Sequence, residues 1–127
     1  MGGALLGGWL DQGVAPASIT IVEPADAALP DQLSQDIARL RSFDEIDVGA
    51  APEIILFAVK PQVMDDVAAP YASFAGTATY LSIAAGKTIG DFEALLGNDA
   101  AIIRVMPNTP AAVRRGISVA VANEAVT

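Results

Sequence analysis

The chain has 127 residues, enough for one domain with a buried core, and is 53% hydrophobic and 17% charged, which excludes a disordered polypeptide. Fifteen acidic residues against seven basic ones leave a net charge of −8, which argues against nucleic acid or an anionic membrane as partner, since both require clustered Lys and Arg. With no cysteine and no histidine, the sequence contains no disulfide, no thiolate chemistry and no serine-triad hydrolase, and a metal site is not expected.

The N-terminus has no basic segment of the kind that opens a signal peptide, and Leu6 stands where a myristoylation signal needs Ser or Thr. No apolar run approaches the ~18 residues of a membrane helix, so a cytoplasmic protein is expected. Residues 1–12 place Leu5, Leu6, Trp9 and Leu10 on one helical face. Gly2, Gly3, Gly7 and Gly8 oppose that helix, each costing roughly 0.8–1 kcal/mol relative to Ala. Either its backbone closely approaches a strand or a phosphate, or the segment is a frayed terminus. Gly13 stops it.

Ser18–Val22 is β-branched and reads as a strand ended by Glu23-Pro24. Glu23 is either a solvated strand end or the acid that, after the second strand of a dinucleotide-binding unit, holds the adenosine ribose. From Asp31 to Arg41 the positions of Leu33, Ile37, Ala38 and Leu40 predict an amphipathic helix, and Asp44–Val48 a short edge strand. Glu53–Val59 is the clearest strand, an unbroken apolar run as in a parallel strand covered on both faces. It leads into Lys60-Pro61, where Pro opens a helix carrying Val63, Met64, Val67 and Ala68 until Pro70 interrupts it.

Ala78–Ala84 predicts the next strand, ending at Ala84-Ala85-Gly86. Thr88-Ile89-Gly90-Asp91 has the form of a capping box, with Ile89, Phe92 and Leu96 as the apolar face and Gly97-Asn98 closing the helix. A strand follows at residues 100–105, then a rigid turn from Met106 to Pro110 and a last strand at Ile117–Ala122. Strands alternating with helices of roughly ten residues imply an α/β fold with a doubly wound parallel sheet. In such sheets ligands bind at the carboxyl ends of the strands. Lys60-Pro61, Ala85-Gly86 and Pro107-Asn108 all fall at such ends, and their convergence on one rim is the functional signal. Taken alone, the Arg104–Pro110 stretch is equally a Pro-rich connecting loop.

Four blocks carry a resemblance: the Gly-rich helix opened by Met1-Gly2, Ala58-Val59-Lys60-Pro61-Gln62, Ser82-Ile83-Ala84-Ala85-Gly86, and Arg104-Val105-Met106-Pro107-Asn108-Thr109-Pro110. In order and spacing they closely resemble pyrroline-5-carboxylate reductase. That family reduces a cyclic imine, 1-pyrroline-5-carboxylate, to proline with NADPH or NADH. The resemblance implies a Rossmann-like sheet lacking its first strand, because the family has a strand and a Gly-x-Gly-Asn segment before the position of Met1. It also implies that residues 1–127 are an incomplete NAD(P)-binding domain, with the family's helical dimerisation and substrate domain absent.

Residue by residue, the resemblance assigns the end of the pyrophosphate loop to Met1 and Gly2. It assigns a segment along the cofactor to Ala58, Val59, Lys60 and Pro61, room near the nicotinamide to Ala84, Ala85 and Gly86, and a place beside nicotinamide and imine to Asn108. No catalytic acid or base is assigned in this chain. The full-length protein is expected to be a homo-oligomer acting on a small molecule, and the isolated chain to be marginally stable and inactive. Other imine or β-hydroxyacid dehydrogenases, or a non-catalytic nucleotide-binding module, share the same fold prior.

Overall fold

The computed structural model describes residues 2–25, 36–107 and 117–127. The chain divides into two units, Met1–Asp47 and Val48–Thr127, each holding its own sheet.

In the first unit the glycines do not prevent a helix: α1 spans Gly2–Asp11, with Leu6 buried and Leu5, Trp9 and Leu10 half-buried. Gly13, at φ +91°, ends it, its N–H donating to Leu10 O and that of Val14 to Trp9 O. A side chain added at Gly3, Gly7 or Gly8 would meet nothing within 4 Å, so no described strand makes the expected close approach there. After a 3₁₀ turn at Pro16–Ser18, β1 (Thr20–Val22) pairs in parallel with β2 (Ala38–Leu40).

Two expectations are corrected here. The helix expected from Asp31 to Arg41 is a strand at its C-terminal end; residues 31–35 lie outside the described residues. Pairing with β1 supplies backbone partners to residues 38–40, extended by Glu23 N–H donating to Leu40 O, and Ile37 is buried just before them. The edge strand expected over Asp44–Val48 is a 3₁₀ turn at Phe43–Glu45. There the Glu45 carboxylate accepts the Arg41 N–H, a local bond that competes with a sheet ladder.

The second unit is built on a four-stranded sheet, β3 (Ile54–Phe57), β4 (Thr79–Ser82), β5 (Ala101–Pro107) and β6 (Ser118–Ala122), in that spatial order. The first three are parallel, and β6 runs antiparallel to β5, a departure from an all-parallel sheet. Only ten residues separate Pro107 from Ser118, fewer than the dozen or so a parallel crossover requires. The same pairing corrects the start of the turn: Met106 and Pro107 belong to β5, opposite Val119 and Ser118. The rest of that turn lies outside the described residues.

Between β3 and β4 the chain is helical in pieces. Pro61 opens a 3₁₀ turn to Val63, α2 follows at Met64–Ala68, and Pro70 resets the chain to 3₁₀ over Ala69–Phe74. The longer α3 (Ile89–Leu96) connects β4 to β5. Phe57, Tyr80 and Ile102 project from the sheet on one side and are buried with Met64, Phe74, Phe92 and Leu96. On the other side Ile54 is 62% exposed.

The capping box forms as expected: Thr88 Oγ1 accepts the Asp91 N–H at 3.1 Å, and the Asp91 carboxylate accepts the Thr88 N–H at 2.6 Å. That second bond holds the Asp91 carboxyl below the usual carboxylate range. Its stabilisation is therefore present above the unfolded carboxylate pKa and is lost as acid protonates Asp91. Thr88→Ala should lower the urea midpoint by the equivalent of about 1 kcal/mol.

Tyr80 is titrated from the other direction. Its hydroxyl donates to Tyr71 O at 2.6 Å, and burial pushes its pKa up to about 12. An unfolded tyrosine ionises near 10, so this stabilisation is intact below that pH and disappears as pH rises towards 12. Urea titrations across this range should show a steep fall that Tyr80→Phe reduces, leaving the part due to Tyr71, also raised by burial.

Candidate functional site

In the parallel register Phe57 lies opposite Ser82, so β3 and β4 end side by side, and Ile83 N–H donates to Phe57 O. Ala58, Val59, Lys60 and Pro61 thus leave the sheet at the same edge as Ala84, Ala85 and Gly86. Of the ten residues singled out from sequence, these seven are brought together. Gly2 begins α1 in the first unit, and Met1 and Asn108 lie outside the described residues.

Lys60 is exposed and extended at φ −66°, ψ 144°, the conformation a following Pro imposes. On the β4 side the exit is held at three points. Buried Ser82 accepts the Ala84 N–H at 3.3 Å, and Arg104 Nη2 on β5 donates to Ala84 O at 2.9 Å. Lys87 Nζ then pairs with Asp65 on α2, linking the loop after β4 to the helix after β3. Between these anchors Gly86 sits at φ +75°, with nothing within 4 Å of where a Cβ would be. The edge is therefore rimmed by small residues and open above Gly86.

Next to it, a cleft of about 300 Å³ is lined by Thr88, Ile89, Arg104, Met106, Val119 and Val121. Sequence alone gave Arg104 no role of its own and did not reveal this cleft. The available signal was an arginine at an alternate position of an apolar strand, two residues from fully buried Ile102. Glu23 makes a local contact, its carboxylate accepting the Ala25 N–H at 3.1 Å. Among the described residues no group of acidic side chains could hold a metal ion, and no helix is long and apolar enough to cross a membrane.

Comparison with known proteins places these features in a lineage. The chain is 38% identical to the pyrroline-5-carboxylate reductase of Escherichia coli (strain K12), covering 100% of this chain and 48% of that protein. Against the enzyme of that name from Synechocystis sp. it is also 38% identical, over 88% of this chain and 41% of that one. The chain thus spans about half the length of the curated relatives it matches.

Among solved structures it resembles a Plasmodium falciparum pyrroline carboxylate reductase with NADP bound, at TM-score 0.81 and 26% identity, covering 100% of this chain and 46% of that one. A pyrroline-5-carboxylate reductase from Coxiella burnetii gives TM-score 0.83 and 26% identity over 98% and 46% of the two chains. These likenesses agree with the Rossmann-like α/β fold expected from the strand and helix pattern. Residues 1–86 match the family model described as NADP oxidoreductase coenzyme F420-dependent. That is well over half of the sequence, and the chain belongs to this family.

Proposed function

We propose that the chain is the dinucleotide-binding part of a pyrroline-5-carboxylate reductase, an NAD(P)-dependent oxidoreductase of proline biosynthesis. The observation that carries this reading is the similarity to enzymes of that name, which extends along the whole chain. The residues of the β3–β4 edge fit a nicotinamide dinucleotide. They offer small exposed residues at Ala58, Ala85 and Gly86, open space above Gly86 and the exposed Lys60 cation. In the first unit, α1 has no acidic residue in its first turn, so the N–H groups beginning at Gly2 suit a phosphate. Met1 and, beyond β5, Asn108 are the further positions proposed to meet the cofactor.

When bound, NADPH or NADH supplies the hydride that reduces the imine carbon. What the chain itself contributes is binding and orientation. Ala58, Val59, Lys60 and Pro61 form one wall, Lys60 balancing negative charge, while Ala84, Ala85 and Gly86 admit the planar end of the group. Holding donor and acceptor at roughly 3–3.5 Å is the main contribution of such a site. No nucleophile, acid or base is assigned in either wall. The reading further expects a cytoplasmic homo-oligomer for the whole protein, without nucleic-acid or membrane partners.

The test is dinucleotide oxidation by the protein expressed from its complete reading frame, with 1-pyrroline-5-carboxylate, another cyclic imine or a β-hydroxyacid couple offered in turn. Oxidation dependent on 1-pyrroline-5-carboxylate supports the assignment. Turnover of a β-hydroxyacid without it would transfer the chain to another dehydrogenase class. Running NADPH and NADH in parallel decides the cofactor.

A further inference from the structure

We propose that Arg104 is a positioning residue that sets the conformation of the Ala84-Ala85-Gly86 loop from the neighbouring strand, and through it the affinity for the dinucleotide. The inference rests on the reading of that loop as a cofactor wall. By register Arg104 lies opposite Ser82, and by alternation it shares the sheet face of buried Ile102 and Tyr80. An aliphatic residue would suit that place. A charged side chain there is unfavourable unless it is paired.

Its Nη2 makes a charge-assisted bond to Ala84 O at 2.9 Å, yet its Nε is buried with no hydrogen-bond partner among the described residues. This incomplete satisfaction weakens a purely stabilising explanation and favours one in which the Ala84 carbonyl must be held. The loop geometry shows why. Ser82 fixes the Ala84 N–H, and Lys87 and Thr88 fix the far side, leaving Ala85 and Gly86 as the tip. Glycine at φ +75° has wide conformational freedom, so the anchored Ala84 carbonyl defines how the tip is presented.

Arg104→Met keeps the length and apolar stem, and Arg104→Lys keeps one charged donor. In the protein from its complete reading frame, the methionine variant should raise the dinucleotide KM about tenfold, with kcat and the imine KM moving less than about threefold, and the lysine variant should fall in between. A dinucleotide KM within about twofold of wild type in both variants would overturn the proposal, as would equal losses in all parameters with no benefit from lysine.

Amide hydrogen exchange on the lysine variant provides a readout independent of turnover. Faster exchange at Ala85 and Gly86, with β3 to β5 still protected, supports the strut; unchanged exchange at the tip overturns it. Should the wild-type protein turn over no imine, the proposed function fails, and exchange still decides whether Arg104 holds the loop.

Discussion

Phe92→Ala should destabilise the second unit by roughly 3–5 kcal/mol, the largest effect expected of any single truncation in it. Phe92 is 1% exposed and stacks on Phe57 at 5.8 Å between centroids. Phe57 in turn stacks on Tyr80 at 6.1 Å and meets Tyr71 edge-on at 5.6 Å. Removing Phe92 therefore opens a cavity against a ring already committed to two other rings, and the strand residues cannot collapse into it without leaving the ladder. Against a usual domain stability of about 5–15 kcal/mol, that loss leaves little margin. Urea unfolding followed by near-ultraviolet circular dichroism measures it. A change under about 1 kcal/mol would show that the aromatic cluster is not the centre of this core.

Gly86→Val should weaken dinucleotide binding about tenfold or more, a change equivalent to roughly 1–2 kcal/mol of backbone strain. The added side chain meets no neighbour within 4 Å, so a simple clash does not account for the effect. The strain comes from φ +75°, where a β-branched residue is disfavoured and the loop shifts to escape. Gly86→Asn separates the causes, because asparagine tolerates the left-handed region and should recover much of the affinity. Fluorescence titration with NADPH and NADH measures both variants. Equal affinity in the valine variant would remove this loop from the site.

Legibility from sequence followed the physics of each segment. Strands β3 to β5 were readable because each is a short apolar run between turn residues, and α3 because Thr88 and Asp91 advertise its start. Strand β2 was not, because Ile37, Ala38 and Leu40 also fit a helical period and their strand character comes from pairing with β1, which local periodicity does not show. The direction of β6 and the extension of β5 through Pro107 likewise depend on a partner strand rather than on local propensity. At the site, the two neighbouring strand exits were legible from Lys60-Pro61 and Ala85-Gly86. The role of Arg104 was not, since an arginine in a strand does not disclose which carbonyl it reaches.

The ladder order of the second unit bears on how it is made. Every strand lies beside its immediate predecessor, with partners Ile54 and Thr79, Thr79 and Ala101, and Ile103 and Ala122 separated by 25, 22 and 19 residues. Each loop closure is thus short, and no strand waits for a distant one. A ribosome delivering this unit from its N-terminal end would release each strand next to a template already in place, so the sheet can grow at the pace of synthesis.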